Sequence, residues 1–120
     1  MTVDPGTKSH VFALLSARNA FKAVLSYNGG NDEGGVEDIT LHVMNENGEV
    51  SEVDFPCRWD AAEGDDKELA TLLEGPVDAK YGSWAGDFSA YGTLTWDRDT
   101  GTVVMNDYEQ SGYDFNQETW

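Results

Sequence analysis

Apolar and polar residues alternate from Val36 to Met44: Ile39, Leu41 and Val43 fall on one face, Asp38, Thr40 and His42 on the other. Period-two alternation marks a half-buried β-strand. Asn47-Gly48 follows, a strong hairpin signal, so Glu49 to Phe55 are predicted to pair back antiparallel. Val53 and Phe55 then share the core face, Glu52 and Asp54 point outward, and Pro56 ends the strand. A second hairpin is predicted over Ser89 to Tyr108. Leu94 and Trp96 alternate with Thr93 and Thr95, Asp97 to Gly101 turn, and Thr102 to Tyr108 return.

Helical spacing appears twice. Residues 8–22 place Val11, Leu14, Leu15 and Phe21 near one stripe, with Ala13, Ala17 and Ala20 raising propensity and Thr7 or Ser9 as N-cap. Ala23 to Tyr27 then read as a short strand, ended by the Gly-rich stretch Asn28 to Gly35. After a loop from Trp59 to Gly64, a second helix is predicted over Asp65 to Leu73. Its apolar face is Leu69, Leu72 and Leu73, and Gly75-Pro76 stop or kink it. Val77 to Asp87 read as a further helical turn and a loop carrying Tyr81 and Trp84. Glu109 to Trp120 read as a tail, frayed or docked through Tyr113, Phe115 and Trp120. The order implies one domain over residues 1–120, of α+β class: two layers, with an antiparallel sheet of about four to five strands packed with two helices.

Charge changes the functional picture most. There are 23 Asp and Glu against 7 Lys and Arg, a net charge of −16 in 120 residues. Such a surface repels phosphate backbones and anionic headgroups, so direct nucleic-acid or membrane binding is not expected. The aromatic content argues against a disordered acidic chain. Cys57 is the single cysteine, which leaves no intramolecular disulfide and fits a reducing compartment. No signal peptide is read at the start of the sequence and no apolar run approaches the roughly 18 residues of a membrane helix, so the expected location is cytoplasmic.

Asn28, Asn31, Asp32 and Glu33 have the oxygen-rich content of a calcium loop but not its order, and Asp97 to Gly101 read as a solvated turn. His10, His42 and Cys57 lack zinc-ligand spacing. Neither histidine lies near a nucleophile elbow, and the Gly-rich stretch lacks the Gly-Lys-Ser/Thr of a phosphate-binding loop. No enzyme activity, cofactor or metal is expected. What remains is the acidic surface. Residues 32–68 carry thirteen acids against Arg58 and Lys67 alone. Outward strand positions recur roughly every 6.6–6.8 Å, sparser than the charge on duplex DNA at about one per 1.7 Å. The candidate partner-binding residues are Asp32, Glu33, Glu37, Asp38, Glu46, Glu49, Glu52 and Asp54, with Trp59 as an interface anchor.

The run from Tyr27 to Ile39, with its Tyr-x-Gly-x-x-Asp-x-Gly turn, resembles a family of small acidic bacterial and mobile-element proteins. There a Tyr-x-Gly-x-Gly-Asp-Ser-Gly-like turn leads into an Ile-Glu-containing strand, and Trp84 to Gly92 distantly echo a later Trp-x-x-x-x-Gly segment. Asn31 and Glu33 depart from that pattern, and the resemblance implies no activity. In size and composition the chain is also similar to phage-encoded DNA mimics that inhibit CRISPR effectors or restriction enzymes. That likeness implies an inhibitor acting in a host cytoplasm, its partner a basic surface of a nucleic-acid-binding protein. The alternative is a non-catalytic accessory or structural domain of a salt-adapted organism. Having only Lys8, Lys22, Lys67 and Lys80 as lysines and Ile39 as isoleucine suits that source.

Overall fold

A computed structural model describes residues 3–30, 33–82, 89–109 and 114–120. Six strands form one antiparallel sheet in the order β3-β2-β1-β4-β5-β6. The elements are α1 (Pro5–Ser16), β1 (Ala20–Gly30), β2 (Glu33–Met44), β3 (Val50–Phe55), α2 (Asp65–Tyr81), β4 (Ser89–Asp97), β5 (Thr102–Glu109) and β6 (Asp114–Thr119). The α+β class and the two helices agree with the sequence reading; the strand count is slightly higher. The additional strand comes from the polar tail, where Asp114 to Thr119 pair with β5 and the Trp120 backbone exchanges hydrogen bonds with Val103. Tyr113, read as a docking residue of that tail, lies outside the described residues, as does Trp84.

Both helices pack on one face of the sheet. Val11 and Leu15 of α1 and Leu69, Leu73 and Val77 of α2 meet Leu25, Ile39, Leu41, Leu94, Trp96, Val103 and Met105 in a single buried cluster. Trp96 is its largest member. Its indole N–H donates to the Leu73 carbonyl at 3.1 Å, and Phe12 meets the ring edge-on. A buried Trp needs such a partner, since a lost N–H hydrogen bond leaves the full desolvation cost. Among the described residues no helix is long and apolar enough to cross a membrane.

Several boundaries differ from the sequence reading: among them, the strand read over Ala23 to Tyr27 runs Ala20–Gly30, and Gly34 and Gly35 of the Gly-rich stretch lie within β2. The first helix begins earlier and stops at Ser16, so Phe21 and Lys22 belong to β1. Its cap is Asp4, whose carboxylate accepts from the Thr7 N–H at 3.1 Å with Pro5 opening the helix. It is terminated by Asn19 at φ 59°, a left-handed conformation that Asn tolerates. The second helix runs through Gly75-Pro76 to Tyr81. Proline removes one helical hydrogen bond, but Leu73, Glu74, Pro76 and Val77 are all buried there, and tertiary packing overrides the local break. The Asn47-Gly48 turn sits inside a five-residue connection. Asn45 caps it by accepting from the Asn47 and Glu49 N–H groups, with Gly48 at φ 80°. Val53, placed on the core side, is 42% exposed because β3 is an edge strand lying beyond the cover of the helices.

Candidate functional site

The sheet face opposite the helices is uncovered by any described element. Alternation and register place Asp38, Thr40 and His42 of β2 on it, with Glu52 and Asp54 of β3 opposite His42 and Thr40. At its centre lie Val24, Ser26 and Asn28 of β1; Tyr91, Thr93 and Thr95 of β4 and Asn106 and Tyr108 of β5 continue it. Asn106 and Gln117 join side chains across β5 and β6 at 2.7 Å.

A β-bulge interrupts the alternation at one point. Ser26 pairs with Asp38 and Tyr27 with Val36, leaving Glu37 as the extra residue of β2. Strict alternation would turn Glu37 toward the core with Ile39. The bulge instead leaves it exposed beside Asp38, lining a cleft of ≈ 460 Å³ on the open face with Ser26, Asn28, Tyr91, Thr93 and Tyr108.

Of the candidate partner-binding residues, the fold brings Glu37, Asp38, Glu52 and Asp54 onto the β2–β3 side of this face. Glu46 and Glu49 lie in the turn at the far end of the hairpin; five strand residues put Glu49 about 17 Å from Asp54. The acids therefore form an edge row and not one patch. Asp32 and the side chain of Glu33 lie outside the described residues. Trp59 is 81% exposed, with the Arg58 guanidinium over its ring at 4.9 Å. It shares a second cleft, of ≈ 410 Å³, with Arg58, Glu37, Glu74 and Asp78.

Five of the seven Lys and Arg pair with acids outside the hairpin. Arg18 pairs with Asp66, Arg58 with Glu74 and Asp78, Lys67 with Glu63, Lys80 with Asp107 and Arg98 with Asp99. Residues 23–57 contain no Lys or Arg at all. Among the described residues, His42 is the one basic side chain paired with a hairpin acid, 3.6 Å from Glu52, and Lys22 of β1 stands in register beside it.

Two buried carboxylates, absent from the candidate set, organise the helix side. Asp107 of β5 accepts from the hydroxyls of Tyr27 and Tyr81, each at 2.5 Å, and pairs with Lys80 at 3.1 Å. Tyr27, Gly92 and Asp107 stand in one cross-strand row, so the Tyr27 ring passes over Gly92 to reach β5. Burial first, then the Asp107 carboxylate, pushes both phenols well above the usual tyrosine range. They remain donors at neutral pH. Their contribution to stability is complete below the ordinary phenol pKa of about 10 and fades as pH rises beyond it.

Glu74 of α2 accepts from the Arg58 backbone N–H at 2.7 Å. Burial raises its pKa; the Arg58 hydrogen bond and charge lower it, and Asp78 raises it again, with burial prevailing. A carboxyl raised on folding favours the native state when protonated. Its contribution is full below the unfolded value of about 4.3 and is lost as pH rises through the folded one. Glu74→Gln is therefore expected to remove part of the fall in melting temperature as pH rises above about 4.3. Parallel thermal scans of the two proteins at stepped pH measure this, and superimposable pH profiles would refute it. Burial, followed by Glu74, Asp60 and Asp38, also raises the Cys57 thiol, so it stays protonated and poorly nucleophilic at neutral pH.

The fold and its open face are those of a six-stranded antiparallel sheet backed by two helices. No family model, curated protein or solved structure matches this chain.

Proposed function

We propose that the protein is an acidic binding module that docks by electrostatic complementarity on a basic protein surface, of the kind that otherwise holds nucleic acid. In this reading it blocks that surface without chemistry, in the manner of an anti-CRISPR or anti-restriction inhibitor. One observation carries it: the edge hairpin β2–β3 presents Asp38, Glu52 and Asp54 outward, with Glu46 and Glu49 at its tip, while Arg18, Arg58 and Lys80 pair with acids outside the hairpin. Acidic charge on a strand pair keeps a fixed spacing, which costs less order on docking than a flexible acidic tail. Trp59, exposed at the end of the same hairpin, is the apolar anchor.

Association with a basic DNA-binding domain is expected to be fast at about 50 mM salt and to weaken at least about tenfold by 0.5 M. Biolayer interferometry against such a domain, with duplex DNA as competitor, reads both rate and displacement. Binding indifferent to salt, or simultaneous with DNA, would remove this reading. Acids outside the hairpin favour a second one: Asp60, Glu63 and Asp65 are exposed before and at the start of α2. If solvation in a saline interior is their purpose, melting temperature rises steeply into molar KCl and no basic partner is bound.

A further inference from the structure

The open-face cleft beside the bulge is walled in a way that general acidity does not explain. Tyr91 and Tyr108 stack across β4 and β5 with ring centroids 5.0 Å apart and planes 8° from parallel, and Phe115 of β6 continues the row at 4.9 Å. The two tyrosines are 42% and 40% exposed. With one face of Tyr91 against Tyr108, the other is turned toward β1, where the residue in register is Asn28. Small and polar side chains floor the cleft there: Ser26, Asn28 and Thr93. On its far side, across β1, stands Glu37, brought round by the bulge.

We propose that this cleft is the seat of an arginine side chain of the basic partner, an inference that rests on the reading above and specifies its chemistry. A guanidinium is planar and weakly hydrated, so it stacks on an aromatic face while its edge donates to a carboxylate. Tyr91 supplies the face and Glu37 the carboxylate, with Asp38 next to it; the floor leaves room for the plane between them. A lysine ammonium has the charge but neither the plane nor the fork, and gains less from the same walls. Charge complementarity fixes the sign of the occupant, and the parallel aromatic wall fixes its shape.

The test uses two labelled peptides of equal length and charge, one all arginine and one all lysine, titrated by fluorescence anisotropy at about 50 mM salt. The arginine peptide is expected to bind about three- to tenfold more tightly. Tyr91→Leu is expected to bring that ratio close to one while leaving the lysine peptide within about twofold. Glu37→Gln, which leaves the aromatic wall intact, should weaken the arginine peptide more than the lysine peptide. Asp54→Asn, outside the cleft, should weaken both alike. Equal affinities in the unaltered protein, or a ratio that survives both Tyr91→Leu and Glu37→Gln, overturn the arginine seat but leave electrostatic docking standing. Failure of both peptides to bind at low salt overturns the two together.

Discussion

Gly92→Ala is expected to destabilise the protein by about 3–5 kcal/mol, a large part of the total stability of a domain this size. A β-carbon at this position would fall well inside contact distance of the Asn106 carbonyl oxygen and stand 2.6 Å from the Tyr27 hydroxyl. The phenol can withdraw only by abandoning Asp107, which leaves a buried carboxylate short of one donor. The carbonyl belongs to β5 and moves only if the β4–β5 ladder opens, at a register where Gly92 pairs with Asp107. Truncating Tyr27 in the same protein therefore should not restore stability. Urea unfolding followed by circular dichroism checks both statements. A midpoint near that of the unaltered protein would mean that the ring does not cross β4 at residue 92.

Asp107→Ala is expected to cost a similar amount, about 3–5 kcal/mol. It removes the carboxylate on which two phenolic hydroxyls and an ammonium converge. These donors come from two elements: Tyr27 from β1, and Tyr81 and Lys80 from the last turn of α2. The residue is thus the pin that fixes the end of α2 over the sheet. Asp107→Asn should be milder, because the amide retains an acceptor for one tyrosine while Lys80, near the surface, turns to water. Hydrogen exchange offers a distinct readout: in Asp107→Ala, protection should fall first in residues 77–81. Uniform loss across α1 and α2 would argue against a local pin.

Much of this was legible in the sequence where local signals agree. The Val36 to Met44 alternation, the turn residues after it and the Leu94/Trp96 pattern each gave the right element, since period-two burial is enforced along a strand backed by helices on one side. The sequence places the second helix over Asp65 to Leu73, with a stop or kink at Gly75-Pro76 and a further turn beyond, because that pair is a strong local break; burial of Leu73, Glu74 and Val77 makes it one continuous helix. Glu109 to Trp120 read as a frayed or docked tail because β6 is an edge strand whose register with β5, and not its own apolar pattern, defines it. In the site, the outward acids of β2 and β3 followed from alternation. Glu37 had no such warrant, because a bulge leaves no local signature.

The buried carboxylates were missed for a different reason: among 23 acids, none announces itself as the one that folds inward. A signal for Asp107 and for the aromatic wall did exist. Counting six residues back from Asp97 and six on from Thr102 pairs Tyr91 with Tyr108, and five pairs Gly92 with Asp107, as the regular ladder has it. A glycine opposite an aspartate in a strand interior marks a close approach by some third group. That the third group is Tyr27 required knowing that β1 lies against β4.

That last adjacency has a consequence for how the chain is made. β1 is central in the finished sheet, yet one of its two neighbours, β4, is synthesised about sixty residues later, after the whole of α2. During synthesis β1, β2 and β3 can pair while the other edge of β1 stays open, a template for misassociation between nascent chains. The same stretch is free of lysine and arginine from Ala23 to Cys57 and holds eight acids. Neighbouring unfinished chains repel each other there until β4 arrives to close the edge.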